Sequence, residues 1–177
     1  PAFGENLMGL LRYATRYSRY CYDETLRRLA RPEGVLQPAA ETTLWWDQFV
    51  YETAVENGTA RLIVNLINLP RDGVWLGESA LAGQFDYTTP EATPAVDFTM
   101  NLPPTHTLRG AHIIDPFTLD VTEIAVRDHR VPVPPVKLWN VLVLDLDVKD
   151  QAPTLASAFG PPRTLGVPRK GLAVERS

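Results

Sequence analysis

LWWDQFVYETAVENGTARLIVNLINL, residues Leu44 to Leu69, is the stretch on which the fold turns. Two apolar segments flank Asn57-Gly58, the preferred pair for a two-residue type I′ turn because both central positions need positive φ. With those two residues as the loop, Phe49 faces Leu66, Tyr51 faces Val64, Thr53 faces Leu62 and Val55 faces Ala60, giving one apolar face. The other face pairs Ala54 with Arg61, Glu52 with Ile63 and Val50 with Asn65, and sets Glu52 diagonal to Arg61, as a wetter surface would. The expectation is one long antiparallel hairpin whose register follows from its turn.

Working outward toward the N-terminus, Leu7, Leu10, Leu11, Ala14, Tyr17, Ser18 and Cys21 recur with helical spacing between Glu5 and Leu29. Arg12, Arg16 and Arg19 occupy the other side. Asp23 is expected to cap a short second helix reaching Ala30, with Arg27 and Arg28 near its negative end. Arg31-Pro32-Glu33-Gly34 then stops the helix, because proline lacks an amide donor and disfavours α geometry in the residue before it. Gln37 to Thr43 reads as a connector.

Beyond the hairpin, Pro70-Arg71-Asp72-Gly73 is a turn and Val74 to Pro94 a long loop carrying Trp75 and Tyr87. Val96, Phe98 and Met100 alternate with Asp97, Thr99 and Asn101, the pattern of a half-buried strand. Thr107 to Ile114 and Leu119 to Arg127 are further strand candidates. Val131-Pro132-Val133-Pro134-Pro135 is excluded from a sheet centre by its missing donors. Val136 to Leu146, apolar on both faces over most of its length, should be a central strand. Short strands divided by turn signals, with no helical pattern between them, mean a mainly β protein: an antiparallel β-sandwich of Greek-key type preceded by an N-terminal α-helix. The expected divisions are a helical segment over 1–36, the sandwich over 37–148 and a Pro-rich tail over 149–177 that straps over the surface or stays disordered.

A chain of 177 residues, 45% hydrophobic, is long enough for one well-buried core. Its net charge of −4 argues against a nucleic-acid partner, whose binding would come largely from Lys and Arg at phosphates. Apolar runs such as Val141-Leu142-Val143-Leu144 are strand-sized, far below the roughly 20 residues of a membrane helix, so a soluble domain is expected. Cys21 is the single cysteine, which rules out an internal disulfide or a cysteine metal cluster within one chain. A start at Pro1 suggests processing, or a fragment of something longer.

The candidate chemistry is sparse. Gly77-Glu78-Ser79-Ala80-Leu81 begins like a nucleophile elbow but lacks the final glycine. His106, His112 and His129 have no helical metal-ligand spacing, so no metal or cofactor is expected. Asp145 and Asp147 share a face of the last strand, roughly 6 to 7 Å apart at about 3.3 Å per residue. That is compatible with the acid pair of a small glycosidase, though solvated strand-end carboxylates are the better explanation. Trp45, Trp46, Trp75 and Trp139, with Tyr51 and Tyr87, offer flat apolar faces suited to sugar rings or to a core. Trp45 and Trp139 read as buried, whereas Trp75, with Tyr87 in the same loop, is the carbohydrate-binding candidate. Tyr13, Tyr17, Tyr20 and Tyr22 make the first helix aromatic nearly all round, which suits a helix held between two bodies and implies a packing partner or a homodimer.

The order of these features resembles the C-terminal end of the dextranase and cycloisomaltooligosaccharide glucanotransferase family of glycoside hydrolases. The matching pieces are Leu10-Leu11-Arg12-Tyr13 through Tyr20-Cys21-Tyr22-Asp23, the strand Arg61-Leu62-Ile63-Val64-Asn65-Leu66, the loop residue Trp75, and Val131-Pro132-Val133 leading to Leu138-Trp139-Asn140-Val141-Leu142-Val143-Leu144. The resemblance implies a catalytic (β/α)-barrel that ends in a Tyr-rich helix and passes into an antiparallel β-domain. It carries no catalytic residue onto this chain, since the family's catalytic acids belong to the barrel. The implied role is a non-catalytic accessory domain, inert alone, with a carbohydrate-binding module and a small acid-base glycosidase as the alternatives.

Overall fold

A computed structural model describes residues 2–68, 90–149 and 152–159, with side chains from residue 7 onward. The chain forms α1 (Ala2–Arg16), α2 (Ser18–Cys21), β1 (Arg27–Arg28), a 3₁₀ turn (Pro32–Gly34), β2 (Leu36–Pro38), β3 (Val50–Glu52) and β4 (Thr59–Ile67). It continues through β5 (Val96–Met100), β6 (His106–Ile114), β7 (Val121–Ile124), β8 (Arg130–Val133), β9 (Trp139–Val148) and α3 (Leu155–Ala158). Six strands make one sheet in the order β1-β3-β4-β9-β6-β7, and three make a second in the order β2-β5-β8. Every strand pairing among the described residues is antiparallel. The protein is therefore the expected antiparallel sandwich with a helix at its N-terminal end.

The strand expected to be central is central. β9 lies between β4 and β6 and is buried on both faces: Leu142, Leu144 and Leu146 enter the core between the sheets, while Val141 and Val143 face outward under a separate apolar layer. Its run of consecutive apolar residues reflects that double burial. The Pro-bearing β8 sits at the edge of the small sheet, with Pro132 opposite Asp97. There the missing donor interrupts no second ladder.

The hairpin departs from expectation in one respect with large effects. Asn57 and Gly58 do adopt φ of 53° and 73°, and Glu56 bridges Thr59, so the tip is the anticipated two-residue turn. Further along, the ladder reads Val50 to Val64, Tyr51 to Ile63 and Glu52 to Leu62, one residue out of the anticipated register. The slip is absorbed between Thr53 and Glu56, where Ala54 and Val55 together oppose Ala60. At the bulge the Arg61 amide bonds the Thr53 hydroxyl at 2.9 Å, in place of a backbone carbonyl. A one-residue bulge exchanges the faces of everything before it. Val50 and Glu52 consequently point into the core with Leu62 and Val64, and Tyr51 turns outward beside Ile63.

Three other segments also differ from expectation. Asp23 closes an Asx turn instead of capping a helix, its Oδ1 accepting from the Thr25 amide at 2.8 Å. Arg27–Arg28 is then an edge strand beside β3, and the buried Leu29 extends that pairing by donating to the Val50 carbonyl. Tertiary burial of Leu29 outweighs the local helical preference. The supposed connector from Gln37 begins inside β2, which pairs with β5. In the supposed tail, Leu155–Ala158 forms α3, whose Leu155 is fully buried in the core between the sheets.

α1 lies on the outer face of the large sheet. Tyr13, 2% exposed, packs with Ile63, Ile114, Val141 and Val143. Gly9 allows the close approach, because a Cβ there would stand 2.6 Å from the Phe117 carbonyl oxygen.

Candidate functional site

The outer face of the large sheet has two halves of opposite character. Under α1 and α2 it is aromatic: Trp139 meets Tyr13 edge-on at 5.5 Å, Tyr13 meets Tyr17 at 5.3 Å, and Tyr17 stacks on Tyr20 at 5.7 Å. Where α2 ends, the rows continue as polar and charged residues: Arg61 after Ile63 on β4, Asp145 and Asp147 after Val143 on β9, and His112 after Ile114 on β6. The Arg61 guanidinium lies over the Tyr20 ring, 5.9 Å from its centroid, and joins the halves.

Asp145 is the hub of the polar half. Its Oδ1 accepts from Arg61 Nε at 2.8 Å and lies 3.9 Å from Arg109, and its Oδ2 lies 3.8 Å from His112 Nδ1. Arg109 also reaches Asp147 at 3.9 Å. The hydrogen bond to Asp145 raises the already high pKa of Arg61, which therefore carries its charge at any working pH. Arg109 is the extra residue of a second bulge, where the β6–β9 register shifts between Leu108 and Gly110. The bulge delivers its side chain to the outer face beside both carboxylates.

An open cleft of about 410 Å³ lies between this cluster, the Asp23–Thr25 turn and the hairpin tip from Thr53 to Thr59. The β3 bulge shapes its wall, and the amides of Ala54 and Val55 make no hydrogen bond to any described residue. Burial raises the pKa of the Tyr20 phenol, which stays neutral at the edge of the cleft.

The residues singled out in the sequence are distributed as follows. Asp145 and Asp147 do share a face, but both are drawn into the arginine network. Trp75, Tyr87 and Ser79 lie outside the described residues. Trp46 is buried against Phe98, and Trp139 is half-buried under α1 with its Nε1 donating to Asn65 at 3.1 Å. Trp45 is 41% exposed, contrary to expectation, because the register slip moves it to the sheet margin, where it pairs with Ile67 and meets Phe49 edge-on at 5.0 Å. His129 is exposed in a tight turn, with φ of 63°. His106 is buried, with Nδ1 3.0 Å from the Thr105 hydroxyl and Nε2 without a partner. Burial lowers its pKa and keeps the ring neutral. Among the described residues no His, Cys, Asp and Glu are grouped to hold a metal ion, and no helix is long and apolar enough to cross a membrane.

Sequence reasoning missed Arg61 and Arg109 as members of one cluster. They are far apart in the chain, and only the pairing of β4 and β6 with opposite edges of β9 unites them.

No protein-family model matches this sequence, and no curated protein matches it. Among solved structures, the chain is similar to a cycloisomaltooligosaccharide glucanotransferase from Paenibacillus sp., crystallised with cycloisomaltoheptaose. The TM-score is 0.59 at 16% identity, covering 78% of this chain. This chain matches 20% of the length of that enzyme. At that identity the likeness is one of fold: a sandwich of this form recurs as one part of a much longer glucan-processing enzyme.

Proposed function

We propose that this chain is a non-catalytic accessory β-domain of a glycoside hydrolase-like protein, packing against a catalytic barrel through the outward side of α1. The observation that carries the reading is the structural match, which takes in most of this chain and only a fifth of the enzyme it resembles. Support comes from the helix itself. While Tyr13 is sealed against the sheet, Leu7, Met8 and Leu11 are 45%, 50% and 53% exposed. A row of large apolar residues left in water on one helix face is the usual mark of a surface that meets another body. Arg61 and Arg109 engage Asp145 and Asp147, so this carboxylate pair is tied up with arginines.

The test begins with the coding sequence upstream of Pro1, which should encode a barrel. That barrel, produced separately, should form a 1:1 complex with this chain in sedimentation. Leu7→Asp with Leu11→Asp should weaken the complex by tenfold or more, on the order of 1.4 kcal/mol, without lowering the melting temperature of the chain. Glucan turnover by this chain alone, abolished by Asp145→Asn and Asp147→Asn, would overturn the reading in favour of a small glycosidase.

A further inference from the structure

We infer that the cleft beside Arg61 and Asp145 binds an uncharged polyhydroxyl ligand, a short oligosaccharide, independently of any docking through α1. Its volume of about 410 Å³ falls within the roughly 300 to 1,000 Å³ of small-molecule sites. The lining balances Arg19, Arg61 and Arg109 against Asp23, Glu56 and Asp145. A cleft so neutralised has no net field with which to concentrate an anion or a cation. It is instead dense in fixed donors and acceptors, the complement of vicinal hydroxyls, each of which donates and accepts.

The groups that would make those contacts are positioned and have hydrogen-bonding capacity to spare. Arg61 engages Asp145 through Nε and is braced by the Tyr20 ring, leaving its terminal nitrogens free of hydrogen bonds to described residues. Arg109 stands 3.9 Å from both carboxylates, near enough for attraction and too far for hydrogen bonds. A hydroxyl pair can bridge that gap. Thr53 and Ala54 of the β3 bulge, with Asn57 and Thr59 of the hairpin tip, add further polar groups on the opposite wall. The two strand bulges each contribute a residue to this one cleft, Ala54 from the first and Arg109 from the second. Bulges are common where a sheet re-aims side chains toward a site. Side chains held by an ion pair and a ring contact have less freedom to lose on binding.

Titration of the ¹⁵N-labelled full chain with isomaltotriose and, separately, maltotriose provides the test, followed through amide and arginine Nε–Hε resonances. Saturable shifts should concentrate at Ala54, Arg61 and Arg109. Arg109→Gln, at a side chain already 53% exposed, should weaken binding by roughly tenfold while leaving the melting temperature unchanged. Tyr20→Leu keeps apolar cover over the sheet and should also weaken binding. Three results would overturn the inference: no saturable shift with either sugar, shifts that map elsewhere on the surface, or a cleft response to inorganic phosphate in place of sugar. None of these would bear on complex formation through α1, so failure of this inference is distinguishable from failure of the accessory-domain reading.

Discussion

Glu52 is the residue whose placement most changes the picture of this protein. Its side chain is fully buried, and its two carboxylate oxygens accept from the Leu155 and Ala156 amides at 2.9 Å each. Burial raises its pKa, and those two hydrogen bonds offset part of the rise. In the sequence it sits at a polar step of an alternating strand, indistinguishable from a solvent-facing glutamate. Glu52→Gln keeps the size but replaces one acceptor with a donor facing an amide, and is expected to cost about 1–3 kcal/mol at pH 7. The sign of its pH effect is opposite to that of His106. For Glu52, the native state retains a proton that the unfolded chain releases, so stability falls as pH rises from 4.5 toward the native value. For His106, the unfolded chain takes up a proton below 6.5 that the buried ring refuses, so stability falls as pH drops below 6.5. Urea unfolding midpoints between pH 5 and 7 should therefore show a smaller loss on acidification in His106→Phe than in the natural chain, by at most about 1.4 kcal/mol per pH unit. Equal slopes in the two proteins would remove His106 from the account.

At the scale of elements, the strands with the strongest patterns formed where the sequence put them. The weak ones were decided by their neighbours. β5 shows its alternation directly, with Val96, Phe98 and Met100 buried. β1 has no pattern of its own and exists because β3 offers an open edge. α3 is four residues long, below the length at which a helix stands alone, and is held by Leu155 in the core and Glu52 at its first amides. α1 depends on a close backbone approach at Gly9. Gly9→Ala places a methyl group against the Phe117 carbonyl, where only backbone movement can relieve the clash. The helix should lift from the sheet, exposing Tyr13 and Trp139, at a cost of about 1–3 kcal/mol. A red shift in tryptophan fluorescence, with little change in β-sheet circular dichroism, is the expected signature.

For the whole molecule, stability is concentrated around β9, which is buried on both faces and paired on both sides. Native-state hydrogen exchange should find the slowest amides in the paired segments Leu62–Leu66 of β4 and Val141–Leu146 of β9, and much faster exchange at the edge strands β1 and β7. Slowest exchange in α1 would instead make the helix, and not the sandwich, the stable unit. The same central strand organises the candidate site: by pairing with β4 and β6 it gathers Arg61, Asp145 and Arg109 at one end of the outer face.

The sequence by itself determined the type I′ turn at Asn57-Gly58, the central position of the last strand, the exclusion of the Pro-rich stretch from a sheet interior, and thereby the antiparallel sandwich. These depend on backbone chemistry and burial periodicity, which are local properties. Only the tertiary structure decided the register of β3, the burial of Glu52, the exposure of Trp45 and the assembly of the arginine and carboxylate cluster. The physical reason is that a single bulged residue reverses which face each preceding side chain occupies, and the groups those side chains then meet, the Leu155 and Ala156 amides and the core between the sheets, are remote in the chain.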